Sequence, residues 1–225
     1  VDLPDAPLVY QPRFLWQDAT TSLEGTGFFL RAPGADRVLG VSTVQYLRDT
    51  EAGLIDASWL DVRSDESIVT FTRHWGAVGT GGTMRPIDLR SDYLLLPARA
   101  GRVPTGAVLE LDARSRPRVG EPVWLIDKAP AAPHGYRSIP GMVVTRRDKY
   151  LIVDLDKRVE LTALNGAPVV SQRTGDVIGA LSRGASGGKA DARLLVLTPA
   201  SAIRQAIDRA RQARALDEAF EGETD

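Results

Sequence analysis

Short apolar runs that end at Gly, Pro, Asp or Ser divide this chain along most of its length. Representative runs are GFFL (27–30), SIVTFT (67–72), PVWLI (122–126), YLIV (150–153) and VIGAL (177–181). About a dozen runs of strand length, at near-regular spacing and without helical periodicity between them, are typical of antiparallel barrels and sandwiches. The pattern therefore predicts an all-β fold up to residue 198.

The end of the chain has a different period. After Thr198 and Pro199, which form a helix start signal, apolar residues recur at Ala202, Ile203 and Ala206 with Arg and Asp between them. This spacing predicts a C-terminal α-helix.

Charge and composition exclude several classes of protein. The 28 basic residues are offset by 29 acidic ones scattered along the chain, so the net charge is −1 and no basic stripe is present for a polyanion. No apolar run approaches the ~20 residues that a membrane-spanning helix needs. The absence of cysteine excludes disulfides, zinc-thiolate sites and a cysteine nucleophile. We expect no nucleic-acid partner, no membrane insertion by this chain, and neither a metal nor a cofactor.

The segment LTALNGAPVV (161–170) supports two interpretations. Asn165 and Gly166 both tolerate the positive φ of a tight type I′ turn, so the pair predicts the turn of a β-hairpin. Gly166, Ala167 and Pro168, followed by two valines, also resemble the nucleophile loop of a serine protease from which the serine is missing.

Hydrolysis by a serine nucleophile needs an imidazole base, which is oriented by a carboxylate. The chain has two histidines. His74 stands beside Trp75, where we expect a structural role, and His134 lies in a Pro-rich stretch, where we expect an exposed imidazole without a catalytic partner.

Five segments match, in order, the strands and loops of one protease family. They are EGTGFFLRAPGADRVLGVSTVQYL (24–47), SDYLLLPA (91–98), RVGEPVWLID (118–127), the stretch 150–181 and LLVLTPASAIRQAI (194–207). Together they resemble the trypsin-like serine proteases of chymotrypsin fold, and the last resembles the closing strand and helix of the bacterial HtrA/Deg-like branch. The resemblance implies two six-stranded antiparallel β-barrels with a C-terminal α-helix.

The resemblance also implies how the chain is organised. Residues 1–225 form a single trypsin-like domain, with an N-terminal barrel over approximately 10–105, a C-terminal barrel over approximately 106–198 and the helix over 199–219.

The same resemblance places non-catalytic residues at two positions of the triad. Matching Pro168 to the family motif puts Asn165 at the serine position, and matching Val41 puts Gln45 at the histidine position, or Val44 if the register slips by one residue. Asp92 matches the aspartate.

A carboxamide is neither a base nor a useful nucleophile, and losing either group of such a triad lowers turnover by about 10⁶. We therefore interpret the chain as a catalytically inactive pseudoprotease with a degenerate triad of Gln45, Asp92 and Asn165, and not as an enzyme. In it Asp92 accepts a hydrogen bond from Gln45 or from a backbone amide.

The leading functional hypothesis is a protein-binding or regulatory module. A protease cleft offers a strand edge to an extended peptide, so β-augmentation does not depend on the triad. Ala163, Leu164, Asn165 and Gly166, which form the former oxyanion loop by resemblance, are the predicted binding residues, and the partner is a protein or an extended peptide.

Two alternatives stay open. One is a structural or assembly module of a larger envelope or signalling protein, in which outer barrel surfaces make the contacts. The other is a serine hydrolase with a relocated site that uses Ser42, Ser171 or His74. The bacterial periplasm or cell envelope is the favoured compartment, and the oligomeric state is not predicted.

Overall fold

The computed structural model describes residues 1–33, 38–43, 54–71, 92–98, 103–114, 117–184 and 191–212. In these ranges the chain forms strands numbered in chain order, followed by one helix. The strands of the first half are β1 (Gln11–Trp16), β2 (Thr21–Leu23), β3 (Phe28–Arg31), β4 (Val38–Ser42), β5 (Leu54–Leu60), β6 (Ser67–Phe71), β7 (Leu94–Pro97) and β8 (Val108–Leu109). Those of the second half are β9 (Pro122–Lys128), β10 (Tyr136–Arg146), β11 (Leu151–Glu160), β12 (Pro168–Ser171), β13 (Val177–Gly184) and β14 (Asp191–Pro199), and the helix is α1 (Ala200–Gln212).

The second half closes into a six-stranded antiparallel barrel in the order β10-β11-β14-β13-β12-β9. Side chains at alternate positions, such as Leu151, Val153 and Leu155 of β11, are buried inside it. This is the period-2 pattern of a half-buried strand, which the sequence shows. The predicted C-terminal barrel and the C-terminal helix are therefore confirmed.

The first half differs from the prediction. Among the described residues it forms two open four-stranded sheets, β2-β1-β5-β6 and β7-β4-β3-β8, and the β3–β8 pair is parallel. A second closed six-stranded barrel is thus not observed. The aromatic residues between these sheets need glycine opposite them, because a Cβ at Gly27 would lie 2.6 Å from the Trp59 ring and one at Gly40 2.6 Å from the Phe71 ring.

One apolar cluster joins the two halves. Leu30 and Leu95 of the first half pack in it with Val170 of the barrel and with Ile203 and Ile207 of α1, all five fully buried. No helix in the described part of the chain combines the length and apolar character needed to cross a membrane.

A buried ionic cluster lies at the start of β9. Glu121 accepts hydrogen bonds from Arg114 at 2.6 Å, from the Ser171 hydroxyl at 2.5 Å and from the Arg118 amide at 3.0 Å. Burial by itself would raise the pKa of Glu121, but these donors outweigh it and lower the pKa to about 2. Asp112 forms a second ion pair with Arg114.

Candidate functional site

Residues 161–166, which we call the Asn165 loop, connect β11 to β12. Two turn hydrogen bonds shape it, from the Leu164 amide to the Leu161 carbonyl (2.9 Å) and from the Ala167 amide to the Leu164 carbonyl (2.8 Å). Of its described residues only Gly166 has a positive φ, +89°, and β11 and β12 are not barrel neighbours. A type I′ turn requires positive φ at both central residues, so the β-hairpin interpretation is wrong and the segment is a loop.

Thr26 holds this loop against the first half of the chain. Its amide donates to the Asn165 carbonyl at 2.9 Å, and its hydroxyl donates to the Ala163 carbonyl at 2.8 Å. On the other side the Gly166 amide donates to the Leu181 carbonyl of β13 at 2.7 Å. The loop therefore lies where the first half meets the barrel.

Gly166 is required by this geometry. A Cβ at this position would overlap the Thr26 carbonyl oxygen and would lie 2.8 Å from the Ser42 hydroxyl. The Ser42 hydroxyl itself donates to the Thr26 carbonyl at 2.9 Å. A side chain at residue 166 would thus displace the contact that anchors the loop.

Asp92 lies at the same junction and is buried. Its carboxylate accepts hydrogen bonds from the hydroxyls of Thr43 and Ser182, and its backbone carbonyl accepts one from the Thr198 hydroxyl at 3.1 Å. These hydroxyls are donors that the sequence did not predict, since Gln45 or a backbone amide was expected in this role. Gln45 and its alternative Val44 lie outside the described residues.

A signal for the missed donors is present in the sequence. Ser182 comes directly after the apolar run of β13, and Thr43 directly follows Ser42, the last residue of β4. A hydroxyl on a buried strand needs an acceptor, and Asp92 is the carboxylate that the fold brings to both.

Three polar groups of the Asn165 loop have no partner on the described part of the chain. The side-chain Oδ1 of Asn165 is buried without a donor. The amide nitrogens of Ala163 and Asn165 donate to no described acceptor. Leu164 between them is buried, whereas Ala163 is exposed. These groups therefore have hydrogen-bonding capacity that the loop itself does not use.

The end of β13 next to the loop has a one-sided pairing. Up to Ala180 the strand lies between β12 and β14, but Arg183 and Gly184 pair within the described ranges with Val196 and Leu195 of β14 only. Arg183 is exposed. A strand edge thus begins two residues beyond Leu181, to which the loop is bonded.

Lys128, which the sequence argument did not single out, supports the segment before Thr26. Its ammonium donates to the Gln11 side-chain oxygen at 2.5 Å and to the Gly25 carbonyl. Burial lowers the pKa of Lys128 to about 8, although the charge of Asp127 acts in the opposite direction.

Two of the three residues proposed for a relocated site are buried and engaged in separate hydrogen bonds. Ser42 and Ser171 are both fully buried, and they donate to the Thr26 carbonyl and to Glu121 respectively. His74 lies outside the described residues. Contrary to the expectation, the imidazole of His134 has a partner, because its Nε2 lies 2.6 Å from the Asp5 carboxylate.

Comparison with known proteins rests on structure, since no family model and no curated protein matches the chain. A protease from M. tuberculosis in its active form is 14% identical, with a TM-score of 0.56 and coverage of 92% of this chain and 87% of that chain. Human heparin binding protein is 15% identical, with a TM-score of 0.59 and coverage of 92% of both chains. A thermostable serine protease from an extremophilic microorganism is 12% identical, with a TM-score of 0.61 and coverage of 92% of this chain and 97% of that chain.

These likenesses identify the fold as the chymotrypsin-like fold of trypsin-like serine proteases, which confirms that part of the prediction. They correct another part. The conclusion from Gln45, Asp92 and Asn165 that the chain is not an enzyme is contradicted, because active serine proteases share its fold. Its physical weakness is that it rests on a residue register at two positions, and one of them, Gln45, lies outside the described residues.

Proposed function

We propose that this trypsin-like domain binds an extended polypeptide segment, from a protein partner or a free peptide, in a groove between the Asn165 loop and the end of β13. An extended segment adds to a strand edge through main-chain hydrogen bonds, while neighbouring side chains give specificity.

The observation that supports the proposal most is the pairing of β13. Arg183 and Gly184 have one described neighbouring strand, β14, and the Asn165 loop is bonded to Leu181, two residues before Arg183. A segment lying along this edge meets the amides of Ala163 and Asn165, which donate to no described acceptor. Backbone carbonyls of the segment would supply the missing acceptors.

The loop is also held in place before any ligand arrives. Thr26 donates two hydrogen bonds to it, and the close approach of Thr26 and Ser42 leaves no room for a Cβ at Gly166. Preorganised donors bind more tightly because less conformational entropy is lost on association.

A binding role agrees with the range of proteins that share the fold. One of them is named for binding heparin, and others are named as proteases. The Asn165 carboxamide offers both a hydrogen-bond donor and an acceptor to a bound segment.

Titration of fluorescein-labelled casein peptides with the protein, followed by fluorescence anisotropy, tests the proposal. Ala163→Trp places a large side chain on the exposed side of the loop. Ala113→Trp is the matched control. Exposed Ala113 follows Asp112, whose amide donates to the Val177 carbonyl. Val177 lies at the opposite end of β13 from Arg183, roughly 20 Å away at about 3.3 Å per residue.

We expect saturable binding by the wild type and by Ala113→Trp, and at least a tenfold weaker affinity of Ala163→Trp. Absence of saturable binding, or equal affinities of the two variants, contradicts the proposal. Mass spectrometry of the same samples measures cleavage; hydrolysis that is lost in Ala163→Trp would assign catalysis to the groove instead of binding.

A further inference from the structure

Within the described ranges, the Asn165 side chain carries a buried polar atom that has no hydrogen-bond partner. Its Oδ1 is buried, and no residue in the described ranges donates to it. An unsatisfied buried acceptor opposes folding, and native proteins keep few of them. Such a group is expected where function requires it.

The carboxamide can turn without breaking a contact. The terminal torsion of asparagine is broad and roughly two-fold, so a half-turn exchanges Oδ1 with the amide nitrogen at low cost. No hydrogen bond from the described part of the chain fixes either orientation at Asn165. A half-turn therefore moves the acceptor to the position of Nδ2, which is not among the buried atoms without a partner.

Its neighbours present the opposite character. The backbone amides of Ala163 and Asn165 are donors without a described acceptor, and they belong to the same tightly held loop. Donors and an acceptor side by side complement the carbonyl and the N–H of one residue in an extended segment, because these two groups point to the same side of the strand.

We infer that the Asn165 carboxamide accepts a hydrogen bond from one backbone N–H of the bound segment and thereby selects an unsubstituted amide at that ligand position. The inference rests on the proposed binding function and adds a specificity-determining residue to it. Proline lacks an N–H, so it is disfavoured at that position.

An amide-to-ester scan tests this contact. A casein peptide that binds the wild type is resynthesised with each N–H in turn replaced by an ester oxygen. The scan is repeated on Asn165→Leu, which has a similar volume and no acceptor, and on Asn165→Asp, which retains an acceptor.

In the wild type we expect an ester at the position that faces Asn165 to weaken binding by about tenfold, which is the effect of one hydrogen bond, whereas esters that face the β13 edge weaken binding to all three proteins alike. In Asn165→Asp the penalty at that position persists, and in Asn165→Leu it disappears. Proline at the same peptide position weakens binding to the wild type at least as much.

The two proposals fail in different ways. If the unmodified peptides do not bind, the proposed function fails. If they bind but no ester position stands out, or if the penalty is the same in Asn165→Leu as in the wild type, binding stands and the role of Asn165 is overturned.

Discussion

Replacing Gly166 by alanine measures how firmly the Asn165 loop is fixed. A positive φ costs a residue with a Cβ about 1–2 kcal/mol, and Gly166 has φ +89°. The new Cβ also overlaps the Thr26 carbonyl oxygen and lies 2.8 Å from the Ser42 hydroxyl. Overpacking of this kind costs about 1–3 kcal/mol, and a displaced Ser42 hydrogen bond about 1 kcal/mol more. We expect Gly166→Ala to lower the free energy of unfolding by about 3–6 kcal/mol.

Gly120→Ala is the matched control. Gly120 has nearly the same φ, +85°, but a Cβ there has no neighbour within 4 Å. Only the conformational penalty of about 1–2 kcal/mol applies. Urea unfolding followed by the fluorescence of buried Trp16 and Trp59 measures both variants. Equal losses in the two variants would refute the packing of Gly166 between Thr26 and Ser42.

Three further substitutions test the contacts around the site. Thr26→Val removes the hydroxyl that binds the Ala163 carbonyl and should lower the free energy of unfolding by about 1 kcal/mol in urea unfolding. Glu121→Gln should lower the free energy of unfolding by about 2–3 kcal/mol at pH 7. Because the pKa of Glu121 is lower in the folded chain than in the unfolded one, unfolding measurements should show this difference above pH 4.5 and lose it as the pH falls to about 2. Between pH 8 and 10 the unfolded chain binds more protons at Lys128 than the folded chain does. Over that window the free energy of unfolding of the wild type should therefore rise by about 2 kcal/mol more than that of Lys128→Met. Identical pH profiles would contradict the burial of this ammonium.

The sequence predicts the barrel of the second half well because its strands are long and alternate regularly, as in β11 with Leu151, Val153 and Leu155 buried. The first half is harder to predict. Its sheets depend on aromatic packing against Gly27 and Gly40, which is a contact between strands distant in the chain and leaves no local periodicity.

The site shows the same division between local and distant signals. The Asn165 loop is identified from Gly166-Ala-Pro, because a glycine and a proline at fixed offsets constrain the backbone locally. Thr43 and Ser182 donate to Asp92, and Lys128 donates to the Gly25 carbonyl, only because the fold brings separate strands together. The prediction of inactivity was wrong for a related reason, because it inferred the activity of the whole molecule from the residue types at single aligned positions.

Amide hydrogen exchange of the protein with and without a bound casein peptide tests the binding groove most directly. We expect the ligand to slow exchange at Ala163, Asn165 and Gly184, and to leave Val177 at the far end of β13 unchanged. Protection confined to other surfaces, with the amides of Ala163, Asn165 and Gly184 unaffected, would contradict the proposed binding site.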